Sequence, residues 1–318
     1  MEQGEAAARP VAGAATSFRS RAWFGWVLAL TASASFSVAT PLARAVIADG
    51  LDPTTLLVVR IGLAALLLGL TIGLTTPSQL RADGRCVRIS LAAGSVNSIG
   101  MLTYFWGLQR LEASMAAMLI AISPIGVLSL LALRGEKVTY RHAVRLALAL
   151  AGVYLLIGPG GQVDPIGVLW ILAALVCFAV QLVTLQWYLM DYEARTVTFY
   201  VLVAMTLGVV VMWLLEGAVW HPLGVKGWVA AVVLAVVSTY LSRLLLFAAV
   251  SRIGGGQMAM LSPVETLLSV LWAFLFLGER LSPLQWAGGA LILFSAVLAI
   301  QRLGIARLRP RWRLWAKS

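Results

Sequence analysis

The chain is 318 residues long, 61% hydrophobic and 12% charged, with a mean hydropathy of +0.92. A water-soluble body of that size needs more polar surface than this composition supplies, which points to an integral membrane protein. The formal net charge of +11 invites a nucleic-acid reading, but the cations gather at the ends of apolar stretches, so a lipid bilayer accounts for them and no nucleic acid is required.

In chain order, residues 1–22 are alanine-rich and polar and read as a disordered cytoplasmic tail; Glu2 and Glu5 argue against an organelle transit peptide. Apolar stretches follow at 23–46, 54–74, 86–108, 113–133 and 142–158. A Gly-rich linker occupies 159–165, and further stretches run over 166–190, 194–215, 227–250, 255–277 and 283–300 before a basic tail at 302–318. Each is close to the roughly 17 to 25 residues that cross about 30 Å of hydrocarbon at 1.5 Å per residue. None alternates polar and apolar with a period of two, and unpaired backbone is costly in lipid, so they are expected to be helices rather than barrel strands. The expected fold is an all-α membrane protein of ten transmembrane helices.

Charge sets the expected orientation. Only Arg44, Arg110, Lys226 and Arg280 fall on the side opposite the termini, and Arg60 and Arg243 fall inside spans. Every other Lys and Arg shares a side with the termini, which the positive-inside rule makes cytoplasmic. The basic tail, with Trp312 and Trp315 among its cations, then faces anionic headgroups.

One phrase is written twice. Arg110-Leu111-Glu112-Ala113-Ser114-Met115-Ala116-Ala117-Met118-Leu119 returns 142 positions later as Arg252-Ile253-Gly254-Gly255-Gly256-Gln257-Met258-Ala259-Met260-Leu261. Five spans separate the copies, and an odd number of crossings inverts the second. The chain therefore divides into two five-helix repeats, 23–158 and 166–301, of opposite orientation, a plan recurrent in secondary transporters. Each half closes alike: Pro124, an apolar run and Gly135-Glu136 in the first, Pro263, an apolar run and Gly278-Glu279 in the second.

These features, with Trp106-Gly107-Leu108-Gln109-Arg110-Leu111-Glu112-Ala113-Ser114 and the second-span arginine Arg60, resemble the EamA-like branch of the drug/metabolite transporter superfamily over nearly the whole chain. One departure stands out: many members carry Glu-Pro in the ninth span, whereas here Pro263 precedes Glu265. The resemblance implies export or uptake of a small metabolite by alternating access, through a central cavity among helices one, three, four, six, eight and nine. Amino acids or related compounds leaving through a bacterial cytoplasmic membrane are the default. Sugar phosphates and nucleosides remain alternatives, as does a channel or facilitator, and the unit is expected to be a monomer or homodimer.

The site is sought among polar groups at mid-membrane, where an ionisable side chain costs roughly 2.5 to 3.5 kcal/mol unless it faces the interior. Arg243 in the eighth span and Glu265 in the ninth lie at similar depths on antiparallel helices. They can serve a substrate anion and a substrate cation or proton, or lock the two helices as a salt bridge. Asn97, Tyr104, Trp106, Ser123, Gln181, Thr239 and Tyr240 are further cavity candidates. Pro41, Pro124 and Pro263 free the carbonyls of Ser37, Ile120 and Ala259 and are candidate hinges, with Gly254 and Gly255 as candidate gate residues. Arg60, roughly 10 Å into its span, reads as a structural residue that snorkels outward. Glu136 and Glu279 read as caps or loop-ordering residues.

No enzyme emerges. His142 and His221 lie on opposite membrane sides and cannot share a metal, Cys86 and Cys177 have no ligand spacing, and no HExxH, Walker A or GxSxG pattern is present. No catalytic residue, metal or cofactor is expected.

Overall fold

The computed structural model describes residues 12–133, 140–157, 163–189, 192–253 and 261–305. Every regular element among them is helical. The chain runs α1 (Ala12–Ser37), α2 (Ala39–Ala48), α3 (Pro53–Thr75), α4 (Gly84–Arg110), α5 (Ala113–Ile120), α6 (Ser123–Leu133), α7 (Tyr140–Ile157), α8 (Pro165–Tyr188) and α9 (Ala194–Leu215). It continues through α10 (Gly224–Val233), a π-helical stretch (Leu234–Leu241), α11 (Ser242–Ile253), α12 (Ser262–Trp272), a second π stretch (Ala273–Leu277) and α13 (Pro283–Ile305).

Five stretches are long and apolar enough to cross a membrane: Trp23–Ala48, Pro53–Thr75, Pro165–Leu185, Ala194–Leu215 and Gly224–Ala249. Ala113–Val127, Val144–Leu156 and Pro263–Leu277 are shorter apolar helices. Starts are written locally. Asp52 accepts a hydrogen bond from the Thr55 amide at 2.7 Å with Pro53 in the first turn, and Asp164 accepts from the Ile166 amide at 2.8 Å with Pro165 behind it. In both, a carboxylate fills the role of N-cap and proline occupies a position whose N–H has no helical partner. The alanines at 12, 14 and 15 favour helix, and α1 begins at Ala12, inside the segment expected to be a disordered tail.

Two expected spans are broken, and the eighth and ninth depart locally from α geometry. The first divides at Val38 into α1 and α2, and the fourth divides at Ala121–Ile122 into α5 and α6. The eighth is continuous but underwound locally into its π stretch. Both breaks lie within three residues of Pro41 and Pro124, where the missing N–H interrupts the ladder.

Packing pairs α1 with α11 and α4 with α8; α3 with α9 and α7 with α13; α4 with α9 and α3 with the first π stretch; α6 with α8 and α1 with α12; and α5 with α12. Small residues permit the closest of these. A Cβ on Gly288 of α13 would stand 2.6 Å from the Gly152 carbonyl oxygen of α7, and one on Gly152 would stand 2.8 Å from that of Gly288, so the two backbones touch directly.

Candidate functional site

The break between α1 and α2 organises the centre of the molecule. Pro41 has no N–H to donate, and the carbonyl of Ser37 thus left open accepts the hydroxyl of Ser269 in α12 at 2.8 Å. Ser37 Oγ accepts the indole N–H of Trp272 at 3.0 Å. One turn earlier, Ser33 Oγ donates to Glu265 Oε1 at 2.9 Å. Ser33, Ser37 and Ser269 are buried. Steps of four along both helices thus set a polar seam between α1 and α12, which need not leave any of these groups unpaired in an apolar interior.

Beside the seam lies a cavity of about 150 Å³ lined by Ala32, Phe36, Ser242, Arg243, Leu246 and Glu265. It is small beside the several hundred Å³ of drug-sized pockets. Arg243 and Glu265 share its wall, but they make no direct ion pair among the described residues. Ser33 supplies the hydrogen bond to Glu265 that the sequence reading sought from Arg243.

A second polar centre surrounds Arg60, which is 4% exposed. Its Nε donates to Thr239 Oγ1 at 3.2 Å, and its guanidinium lies over the Phe105 ring at 5.7 Å. Arg60 is therefore enclosed rather than snorkelling outward. Thr239 can accept because its own hydroxyl proton goes to the Leu234 carbonyl at 2.9 Å, a five-residue reach that belongs to the π stretch. Tyr104 Oη and Thr40 Oγ1 share a hydrogen bond of 2.7 Å nearby, and Tyr104 and Arg243 both lie within electrostatic reach of Arg60.

The other candidates scatter. Asn97 is buried, with Nδ2 directed to Met205 Sδ in α9 at 3.0 Å, an interhelical contact away from the cavity. Tyr240 reaches Thr71 of α3 at 2.7 Å. Trp106 packs edge-on against Trp170 of α8, with centroids 5.3 Å apart. Gln181 is half-buried on α8 and Ser123 is half-buried at the first turn of α6; neither lines the cavity. Pro41 and Pro263 are buried at the starts of α2 and α12, and Pro124 lies in the first turn of α6. Gly254 and Gly255 lie outside the described residues.

Sequence reasoning missed the reach of Glu279. Gly278 ends the second π stretch in the left-handed conformation (φ 69°), which glycine adopts without strain. The chain then turns Glu279 onto the start of α5, where its carboxylate accepts from the Ala113 amide at 2.8 Å, the Ser114 amide at 2.9 Å and the Ser114 hydroxyl at 2.7 Å. It caps a helix of the other half of the chain rather than the segment that follows it. The matching Glu136 lies outside the described residues. At the same end Arg110 bonds Asp164 at 2.8 Å, and this contact, more than the Ile166 and Gly167 amides, holds the Asp164 carboxyl below the usual carboxylate range.

Comparison with known proteins agrees with this architecture. A solved crystal structure 22% identical in sequence superposes with a TM-score of 0.59 over 90% of this chain and 99% of its own, a likeness of fold. An uncharacterized transporter of Archaeoglobus fulgidus is 27% identical over 223 residues, 70% of this chain and 80% of the relative. A probable terminal-alkyne amino-acid exporter of Streptantibioticus cattleyicolor is 29% identical over 294 residues, 89% of this chain and 95% of the relative. The profile of the EamA-like transporter family matches residues 23–158 and again 165–301, and the chain belongs to that family.

Proposed function

We propose that this protein is a secondary transporter that exports an amino acid or a related small metabolite across a bacterial cytoplasmic membrane by alternating access. In this reading ten spans form two inverted five-helix repeats around the cavity, and both termini are cytoplasmic. The packing supports the repeat: exchanging each helix of the first five with its counterpart in the second maps α1–α11 onto α4–α8 and α6–α8 onto α1–α12, and it returns α3–α9, α7–α13 and α5–α12 to themselves.

The observation that carries the reading is the cavity itself, where Arg243 and Glu265 face a common space without neutralising each other by contact. Charges held apart in an apolar surround are costly unless a visiting molecule completes them, and the ammonium and carboxylate of an amino acid are of the complementary signs. The exporter name of the Streptantibioticus cattleyicolor relative points to the same substrate class. Ser33 orients the Glu265 carboxylate, and the α1–α2 break provides a joint beside it.

Counterflow in proteoliposomes loaded with a mixture of the common amino acids tests this. Glu265→Gln is expected to lower the initial rate about tenfold or more, the loss of one charge-assisted contact, with unchanged yield and membrane insertion. Flux unaffected by this change, or unsaturable flux, would count against a carrier with this site.

A further inference from the structure

The Arg60 centre is not used by the transport reading above. Arg60 is more than nine-tenths buried, yet Nε to Thr239 is its sole hydrogen bond among the described residues, and no carboxylate among them pairs with it. The hydrogen bond consumes the inner edge of the guanidinium and fixes its roll, while the Phe105 face supports its plane. The two terminal nitrogens are left as a parallel fork, the arrangement that receives both oxygens of a carboxylate. Holding α3 to the π stretch requires no charge, since a neutral amide could donate to Thr239 as well. A buried cation kept without a counter-ion calls for an anion from elsewhere.

Thr239 lies one turn from Ser242 and Arg243, and the Ser242 hydroxyl, which lines the cavity, bonds back to the Ser238 carbonyl at 2.6 Å and the Thr239 carbonyl at 3.3 Å. Arg60 Nε therefore bonds the helix that forms the cavity wall, one turn before the lining residues Ser242 and Arg243. Counted together, this neighbourhood holds two cations, Arg60 and Arg243, and one anion, Glu265. A zwitterion would leave one positive charge unmatched.

We infer that Arg60 is a substrate-binding residue and that Arg60, Arg243 and Glu265 form a three-charge site for an acidic amino acid. The two carboxylates of such a substrate meet the two guanidinium groups, and its ammonium meets Glu265. This rests on the transport reading above and narrows it to substrates that are net monoanions.

The test uses pairs that differ by one charge at nearly constant shape. Thermal unfolding of the full chain in detergent is followed against L-glutamate and L-glutamine, and against L-aspartate and L-asparagine, with sodium chloride at matched ionic strength as control. A ligand that binds the folded state raises its stability by mass action. The acidic member of each pair is expected to act at a concentration about tenfold or more below that of its amide. Arg60→Gln should abolish that preference, and Arg60→Lys should keep it at reduced affinity. Thr239→Val, which removes the acceptor that orients Arg60 together with the hydroxyl's own bond to the Leu234 carbonyl, should weaken L-glutamate several-fold and leave L-glutamine unchanged, so the proposal stays testable if an Arg60 variant folds poorly.

Equal action of acid and amide, or of chloride and glutamate, overturns the proposal, as does a wild-type preference in Arg60→Gln. Counterflow of neutral amino acids with none of L-glutamate or L-aspartate overturns it while leaving the transport reading intact. Absence of counterflow for every amino acid overturns both.

Discussion

Ser37 is the residue on which the centre turns. Its carbonyl is freed by a proline four positions on, and its only route to satisfaction in a dry interior is a hydroxyl from another helix, supplied by Ser269. Ser269→Ala should therefore cost about 1 to 2 kcal/mol, the penalty of leaving a buried acceptor unpaired, read as a lower Tm in detergent. Asp164 yields a pH prediction. Its folded value is depressed by Arg110, so its contribution to stability is complete above the unfolded carboxylate value and is lost as pH falls through the folded one. Asp164→Asn keeps a capping side chain and should narrow the gap in Tm between neutral and strongly acidic buffer; a gap equal to wild type would refute the coupling. Glu265, Arg243 and Pro41 stand out in the sequence because a charge or a proline inside an apolar span is conspicuous. Their partners do not: Ser33 lies 232 positions from Glu265 and Thr239 lies 179 from Arg60. Nothing local selects one buried serine or threonine among many, so Arg60 looks peripheral until the fold encloses it.

At the scale of elements, breaks and caps decide the shape. Helix existence and the prolines were legible, because length, hydropathy and a missing N–H are local properties. The π stretch at Leu234–Leu241 was not, since its extra residue per turn is stabilised by contacts with α3 and α1 rather than by its own composition. Glu279 was legible as a capping residue but not as the cap of α5, for the sequence gives no sign of which helix start comes within reach. Glu279→Ala removes three hydrogen bonds to an otherwise open helix start and should lower stability by about 1 to 2 kcal/mol. Glu279→Gln keeps an acceptor oxygen and should lose less, an order readable from the two Tm values. Gly288→Ala drives a methyl group into the Gly152 carbonyl and the Leu156 amide, each 2.6 Å from the new Cβ. Helix α13 must then withdraw from α7, at a cost of roughly 1 to 3 kcal/mol, seen as a comparable fall in Tm.

For the whole molecule, the duplicated phrase carries the most information, because an odd number of crossings between copies converts a sequence repeat into a statement about orientation. The main helix pairs α1–α11 and α4–α8, and α6–α8 and α1–α12, correspond under an exchange of the halves, which the proposed inverted repeat predicts. Single cysteines at Arg110 and Arg252, both exposed, placed in a chain lacking Cys86 and Cys177, should label with impermeant maleimide from opposite faces of sealed vesicles. Labelling from the same face would rule out the inverted arrangement.

The carboxylate of Glu279 belongs to one half of the chain and the amides it holds belong to the other. Any motion that parted the halves at that end would have to break the three short bonds that converge on this one side chain. A single residue thus clasps the two halves together.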